Sequence, residues 1–318
     1  MSKVFSVKRN LLSTTIPFLR QYVTVIGSAQ LDIFGEFDSS AEQQIDKRGK
    51  IFYSVGGGAY NVAANLTQYN HWVYLCTGLA RNSYISGLLR EKIKKNHIST
   101  KFVDFCDDIG ESGFVAHRNT QTHSLSTAVS CMAVESISFD SDKLKKAIEK
   151  SRLVIVDCNL SDSTLQQVID IAAKESPPIQ VMVTGISESK IKRVRQVDRD
   201  AAPAFDVIVA HVEDAFEGLC KNGHQNKNFI IENITIAVSE TMDASSLYSD
   251  GMADNSSNKS HEATLAEDKR KKARDFFKRI ASGQSVNNYS VSTICKEAKT
   301  RFLIITDGIK GEYCYLKL

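Results

Sequence analysis

Three consecutive glycines, Gly56, Gly57 and Gly58, stand directly before an apolar pattern with helical spacing, and Asn61 follows them within one turn. Glycine lacks a Cβ, so its backbone can approach a ligand closely and can adopt a positive φ. A helix that begins at such a run directs its first unpaired N–H groups at whatever lies there. Three interpretations stay open: the run binds a phosphate, it admits a sugar, or it only turns the chain.

The two common phosphate-binding patterns do not fit this region. A dinucleotide fingerprint places G-x-G-x-x-G directly after the first strand, and a P-loop requires G-x-x-x-x-G-K-[ST]. Here the first apolar strand is followed by "GSAQLD", which ends in the carboxylate of Asp32, and no lysine stands at the P-loop position. A nicotinamide-dependent dehydrogenase is therefore disfavoured.

The elements that must position these residues alternate along the chain. Val62, Leu66 and Tyr69 repeat at helical spacing after the glycines, and Leu165 begins a second such repeat behind Ser161, a candidate N-cap. Between the helices lie continuous apolar runs, "YVTVIG" (22–27), "VYLCTG" (73–78), "RLVIVD" (152–157), "IQVMVTG" (179–185) and "FDVIVA" (205–210). Such runs predict an α/β fold with a mostly parallel central sheet covered by helices on both faces.

Two further stretches lie outside this alternation. "GFVAHRN" (113–119) and "HSLSTAV" (123–129) predict a hairpin apart from the main sheet. Residues 221–267 are rich in Asn, Ser, Asp, Lys and Glu, and we interpret them as a polar insertion in a single domain spanning 21–318. A basic helix is expected at 268–281.

Composition excludes several classes of function. A net charge of +3, with basic and acidic residues interspersed, does not favour a nucleic-acid partner. No apolar run approaches the roughly 20 residues that a membrane span requires. The seven cysteines show neither C-x-x-C nor zinc-ligand spacing, as expected for reduced thiols in an intracellular protein.

The N-terminus has a composition of its own. No acidic residue precedes Asp32, while Lys3, Lys8, Arg9 and Arg20 alternate with apolar and hydroxyl residues. This is typical of a mitochondrial presequence, and a leader of about residues 1–20 without a targeting role is the alternative. Mitochondrial and cytoplasmic localisation both stay open.

Four motifs in order resemble the ribokinase-like (PfkB) family of ATP-dependent sugar and nucleoside kinases. They are "IGSAQLD" (26–32), the glycines with Asn61, "VIVDCNLSDSTLQQVIDIA" (154–172) and "ITDGIKGEYCY" (305–315). The third, with its D-x-N-L stretch, is similar to the pseudouridine kinase branch. The resemblance implies a ribokinase-like fold with a small β lid, built from strands at about 32–55 and 113–130, through which such proteins often form homodimers.

The same resemblance implies a function and its residues. The expected reaction is phosphorylation of a sugar or nucleoside hydroxyl by ATP with Mg²⁺. Substrate contacts are expected from Asp32, Gly56, Gly57, Asn61, Asp157 and Asn159, and nucleotide contacts from Thr306, Gly308 and Gly311. On this interpretation the glycines admit a sugar ring, and the Asp32 carboxylate accepts its hydroxyl protons.

Two of the departures from the family pattern concern the catalytic and metal-organising motifs. The G-A-G-D motif, whose aspartate is the family's general base, does not occur in these 318 residues, so no catalytic residue is assigned. The N-x-x-E motif reads "HVED", with His211 for the asparagine and Asp214 for the glutamate; Asp214 is a candidate for indirect contact with Mg²⁺ through water. Two hypotheses follow: a kinase whose given chain is incomplete, or a non-catalytic relative that binds a sugar, a nucleoside or a partner.

Overall fold

A computed structural model of the chain describes residues 22–37, 48–107, 109–120, 125–185, 187–197, 204–211, 215, 271–279, 284, 300–306 and 313–317. The strands in these ranges are β1 (Tyr22–Ile26), β2 (Gln30–Phe37), β3 (Gly49–Gly56), β4 (Trp72–Cys76), β5 (Gly78–Ala80), β6 (Asp104–Cys106), β7 (Gly113–Asn119), β8 (Leu125–Cys131), β9 (Ser151–Asp157), β10 (Gln180–Thr184), β11 (Phe205–His211), β12 (Thr300–Thr306) and β13 (Tyr313–Lys317). The α-helices with named bounds are α1 (Gly58–Gln68), α2 (Tyr84–Lys95), α3 (Ser141–Glu149), α4 (Asp162–Lys174) and the short α5 (Glu188–Ile191). Residues 271–279 are also helical.

Seven strands form the central sheet in the order β13-β12-β11-β10-β9-β1-β4. Every neighbouring pair from β4 to β12 is parallel, and only β13 runs antiparallel, on β12 at the edge. This confirms the predicted mostly parallel sheet. The carboxyl ends of the parallel strands meet at one edge, where Asp157 ends β9 and Thr306 ends β12.

Helices cover both faces of this sheet, as predicted. On one face, Ala59 and Ala63 of α1 pack with Val25 and Leu75. On the other face, α3 and α4 pack their apolar residues, Leu165 among them, against β9 and β10. The helical repeat that Leu165 begins is confirmed as the buried face of α4, and the expected cap is present because the Ser161 side chain accepts a hydrogen bond from the Thr164 N–H.

A second sheet has the strand order β3-β2-β7-β8. Strand β2 pairs antiparallel with β3 and parallel with β7, and β7 pairs antiparallel with β8, which confirms the hairpin outside the main sheet. We call this four-stranded sheet the lid. Side chains alternate between its two faces. Leu31 and Val55 of one face pack on Leu79, Leu89 and Val103, so the base of the lid is fixed to the β5–β6 ribbon and α2.

Several predicted segments fall outside the described residues. These are the N-terminal leader (1–20), the polar insertion (221–267) and the ends of the basic helix, of which 271–279 is helical. In the part of the chain that the structure describes, no helix combines the length and apolar character that crossing a bilayer would require.

Candidate functional site

The glycine run turns sharply from β3 into α1. Gly57 is the N-cap of α1 and has a φ of 99°, in the region that favours glycine. A Cβ at Gly57 would lie 2.6 Å from the Ser28 carbonyl oxygen and 2.9 Å from the Ala29 Cα. The position therefore requires glycine twice, for its dihedral angle and for the close approach of the β1–β2 connection.

The first N–H groups of α1 are already bonded within the protein. The Gly58 N–H donates to Ser28 Oγ at 3.0 Å, the Ala59 N–H to Asp157 Oδ2 at 2.9 Å, and the Tyr60 N–H to the Ser28 carbonyl at 3.0 Å. A phosphate at this helix start would need the same donors. Because protein acceptors occupy them, the phosphate interpretation of the glycine run does not fit this geometry.

Asp157 supplies the negative charge at the start of α1. Its side chain is 0% exposed, and it accepts from the Ser28 N–H, the Ser28 hydroxyl and the Ala59 N–H on Oδ2 and from the Asn159 N–H on Oδ1, at 2.8–2.9 Å. A Cβ at Gly27 would overlap this carboxyl group, so Gly27 makes room for it. Burial raises the pKa of Asp157 above its ordinary value of 3.8, and the hydrogen bonds from Ser28, Asn159 and Ala59 oppose that rise.

Asn159 is equally buried and also bonded to protein groups. Its Nδ2 donates to Ser28 Oγ at 2.9 Å, and its Oδ1 accepts from Lys190 Nζ at 2.5 Å. The resemblance implied that Asp157 and Asn159 contact the substrate. The structure places both beneath the glycine turn with no exposed side-chain surface, so their geometry supports holding the turn in place.

Asp32 has the opposite character. It lies on β2, half-buried, with Oδ1 accepting from Gln30 Nε2 at 2.7 Å. Its Oδ2 packs over Gly56, where an added Cβ would overlap it, and has no hydrogen-bond partner among the described residues. Burial raises the pKa of Asp32 above its ordinary value of 3.8, and the bond from Gln30 opposes the rise. Gly56 thus leaves space for a carboxylate that keeps an oxygen available.

Gln30 is a further candidate for the site, which the sequence interpretation did not name. It is 7% exposed, and its Oε1 is buried without a hydrogen-bond partner in the described structure. An unsatisfied buried acceptor costs about 1–3 kcal/mol, and here the other end of the same amide holds Asp32 Oδ1. The signal in the sequence was its spacing: Gln30 stands two residues before Asp32, so on a strand both side chains share one face.

Aromatic rings continue this face of the lid beyond Asp32. Phe34 follows on the same strand, Phe52 pairs opposite Phe34 on β3, and Phe114 pairs opposite Asp32 on β7. The Phe34 ring lies 5.5 Å from that of Phe52 and 6.0 Å from that of Phe114, centroid to centroid. Asp32, Gln30 and the three rings, which we call the acceptor face, combine hydrogen-bond acceptors with flat apolar surface.

Known proteins share this architecture. No protein-family profile matches the chain. The pseudouridine kinase of Escherichia coli (strain K12) is 25% identical over 181 residues, which are 55% of this chain and 55% of that protein. The ribokinase of Arabidopsis thaliana complexed with ribose and ATP superposes with a TM-score of 0.59 at 12% identity, covering 94% of this chain and 75% of that one. A carbohydrate kinase from Agrobacterium tumefaciens gives a TM-score of 0.51 at 17% identity over 63% of each chain.

The chain has the ribokinase-like fold. The resemblance to PfkB/ribokinase-type carbohydrate kinases, including pseudouridine kinase, is thereby confirmed. The matched segment spans about half the length of the curated relative, 55%.

The other predicted residues of this ribokinase-like chain lie on α1 and β12 or outside the described residues. Asn61 is exposed in the first turn of α1, and its N–H bonds to the Gly57 carbonyl at 2.9 Å. Thr306 ends β12 beside His211 at the carboxyl edge of the main sheet. Asp214, Gly308 and Gly311 fall outside the described ranges. Within those ranges, no group of three or more His, Cys, Asp or Glu side chains could hold a metal ion.

Replacing Asp157 tests whether its carboxylate holds the turn. In Asp157→Ala, the N–H groups of Ser28, Ala59 and Asn159 lose their acceptor inside the protein. We expect the free energy of unfolding to fall by about 3 kcal/mol or more, measured by urea denaturation followed by circular dichroism. Asp157→Asn keeps the shape and one acceptor oxygen and should lose less. Asp170→Ala, an exposed change on α4, is the matched control at about 0.5 kcal/mol or less; equal losses for Asp157→Ala and Asp170→Ala would contradict this role.

Proposed function

We propose that the acceptor face binds a sugar or nucleoside through its hydroxyl groups and that the chain serves ATP-dependent phosphorylation of such a hydroxyl. The observation that carries the proposal is Asp32 Oδ2, an acceptor without a partner among the described residues, on a carboxylate whose other oxygen is held by the Gln30 amide two residues away on the same strand face. Hydroxyl groups donate to such oxygens, whereas a phosphate would meet a carboxylate of its own charge sign. Similarity to pseudouridine kinase and to ribokinase-fold kinases supports the kinase class.

A nucleoside is the substrate class that we favour over a free pentose. Phe34, Phe52 and Phe114 present ring surface beside the carboxylate, and aromatic rings of a protein attract other flat rings by offset stacking or edge contacts. A nucleobase supplies such a ring, and a pentose does not. The E. coli relative carries the name of a nucleoside kinase, which supports the same choice.

ATP is the proposed phosphoryl donor, with Mg²⁺ as its counter-ion. Two solved ribokinases of this fold contain a nucleotide: the one from Arabidopsis thaliana is complexed with ATP, and the one from Cryptococcus neoformans is complexed with ADP. By the family resemblance Thr306, Gly308 and Gly311 would contact the nucleotide. The start of α1 does not fit its phosphates, because the first N–H groups there are bonded to Ser28 and Asp157. Asp214 would contact the ion through water.

Measuring binding and turnover separately distinguishes a kinase from the alternative, a non-catalytic protein that only binds the ligand. Isothermal titration with pseudouridine and with ribose measures binding, and a coupled assay of ADP release measures turnover. Binding with ADP release supports a kinase. Binding without ADP release supports a non-catalytic sugar or nucleoside binder, and absence of binding to either ligand overturns the proposed acceptor face.

Asp32→Asn should weaken binding and remove its dependence on pH. A hydrogen bond to a charged group contributes about 1.5–3 kcal/mol, so we expect the Kd for the ligand to rise at least tenfold. In the wild type, protonation of the Asp32 carboxyl removes the charge that accepts the hydroxyl proton. Affinity should therefore fall as pH falls through the raised pKa of Asp32, beginning at a higher pH than for an exposed aspartate.

The same titration series supplies the control for this expectation. Asp170→Asn changes an exposed carboxylate on α4 and should leave the affinity and its pH profile as in the wild type. A profile for Asp32→Asn that still falls at acid pH as the wild-type profile does would assign the titration to another group.

Phe52→Ala should separate a nucleoside from a free sugar. Loss of an aromatic contact costs about 0.5–1.5 kcal/mol, so the Kd for pseudouridine should rise about twofold to twelvefold while that for ribose stays unchanged. Tyr84→Ala removes an exposed ring on α2 and is the control. A parallel loss of affinity for both ligands would count against stacking on the base.

A homodimer through the lid is the proposed assembly. The lid face opposite Asp32 carries Tyr53, Ile33, Val115 and Val129 in one row across the four strands, and Tyr53 and Val129 are 69% and 70% exposed. Ile33 packs partly on the main body, whereas Tyr53, Val115 and Val129 are exposed apolar side chains, and such side chains favour association. Light scattering after gel filtration should give twice the chain mass for the wild type and the chain mass for Val129→Lys. A wild type of 35.3 kDa under the same conditions would refute the dimer.

A further inference from the structure

The lid joins the main body at four connections, and buried hydrogen bonds link them. Ser28 lies in the β1–β2 connection, and its Oγ accepts from the Gly58 N–H in the β3–α1 connection. Ser112 lies between β6 and β7; its carbonyl accepts from the Leu31 N–H at 3.0 Å, and its Oγ accepts from the Ala133 N–H, in the connection after β8, at 3.3 Å. The position of the lid relative to the main body therefore depends on how these connections are held together.

The hydrogen-bond inventory of Ser28 fixes the direction of its proton. Its Oγ accepts from two donors, the Gly58 N–H and Asn159 Nδ2, and so its own hydrogen is left for Asp157 Oδ2 at 2.8 Å. This arrangement works only while Asn159 turns its NH₂ group towards Ser28. A flipped amide would offer a second acceptor oxygen where a donor is needed.

Lys190 determines which way the Asn159 amide points. An ammonium group has three donors and no acceptor, so it can bond the amide only through Oδ1. Lys190 Nζ lies 2.5 Å from Asn159 Oδ1, which leaves Nδ2 to face Ser28. The orientation of the buried Asn159 amide is thus set by Lys190, which lies in α5 after the neighbouring strand β10.

The same ammonium group holds the return connection of the lid. Lys190 Nζ lies 2.6 Å from Glu135 Oε1 and 3.7 Å from Met132 Sδ, both just after the end of β8. The Lys190 side chain is 20% exposed, so this ion pair is less screened than a surface pair. One cation therefore contacts both the return of the lid and the buried junction of Ser28, Asn159 and Asp157.

We propose that Lys190 is a positioning residue that fixes the orientation of the lid relative to the main body, and that this orientation is the one that binds the ligand. It ties Glu135 to Asn159, and through Asn159 it sets Ser28, the connection from which β2 carries Gln30 and Asp32. Its effect on ligand affinity rests on the proposed function; its effect on the junction does not.

Amide hydrogen exchange tests the junction without any ligand. In Lys190→Met the amide of Asn159 loses the cation that orients it, and we expect exchange at Gly58 and Ser28 to accelerate about tenfold while exchange in α4 stays as in the wild type. Lys145→Met breaks an exposed ion pair with Glu149 and is the matched control, with no change at Gly58 or Ser28. Lys190→Arg, which keeps a cation without an acceptor, should restore most of the protection.

The outcomes separate this inference from the proposed function. Wild-type exchange at Gly58 and Ser28 in Lys190→Met overturns the positioning role, and so does an equal acceleration in Lys190→Met and Lys190→Arg. If Lys190→Met does not fold, Lys190→Gln takes its place. Its amide carries both a donor and an acceptor and so permits either orientation of Asn159; an acceleration smaller than tenfold is then expected at Gly58 and Ser28, and wild-type exchange there overturns the positioning role. A local acceleration accompanied by about a tenfold rise in the Kd for pseudouridine supports both the positioning role of Lys190 and the proposed function. A local acceleration in a chain that binds neither pseudouridine nor ribose supports the junction and contradicts the acceptor face.

Discussion

A single buried carboxylate holds together the elements around the candidate site. Asp157 ends β9, yet its bonds reach the β1–β2 connection through Ser28 and the start of α1 through Ala59. A charge removed from water is costly unless donors surround it, and here the N–H groups at the end of one strand and the start of one helix do so. The positive end of the α1 dipole lies against the same oxygen. The turn at Gly57 keeps its shape because the N–H groups of Ser28 and Ala59 bond to Asp157 and to no other acceptor among the described residues.

This use of Asp157 determines what the neighbouring surface can bind. The first N–H groups of α1 are bonded to protein acceptors and are not available to a phosphate. Gly57 instead allows the start of α1 to approach the backbone of the β1–β2 connection closely. An acceptor without a partner among the described residues is found instead on the lid. There Asp32 packs over Gly56, and its Oδ2 accepts no hydrogen bond from these residues. The two aspartates thus differ: Asp157, at the end of β9, is saturated by protein donors, whereas Asp32, near the start of β2, keeps one oxygen without a partner among the described residues.

The sequence was sufficient to predict the mostly parallel sheet with helices on both faces and to single out Asp32 as a candidate. Continuous apolar runs gave the parallel strands, and the spacing from Leu165 gave the buried face of α4, because burial on a sheet selects those patterns directly. Asp32 was found because it follows the first strand. The sequence could not distinguish Asp32 from Asp157, since which carboxylate meets protein donors depends on contacts between residues 98 and 129 positions apart. Lys190 escaped notice for the same reason: nothing local marks a lysine whose partners are Asn159 and Glu135.

The most direct test of the central claim is a crystal structure of the chain grown with pseudouridine and ATP. The account predicts a ribose hydroxyl within hydrogen-bond distance of Asp32 Oδ2, with Asp157 still bonded to Ser28 and Ala59 and no phosphate oxygen at the first turn of α1. A phosphate bound by the N–H groups of Gly58, Ala59 and Tyr60, or a nucleoside bound away from Asp32, would contradict it.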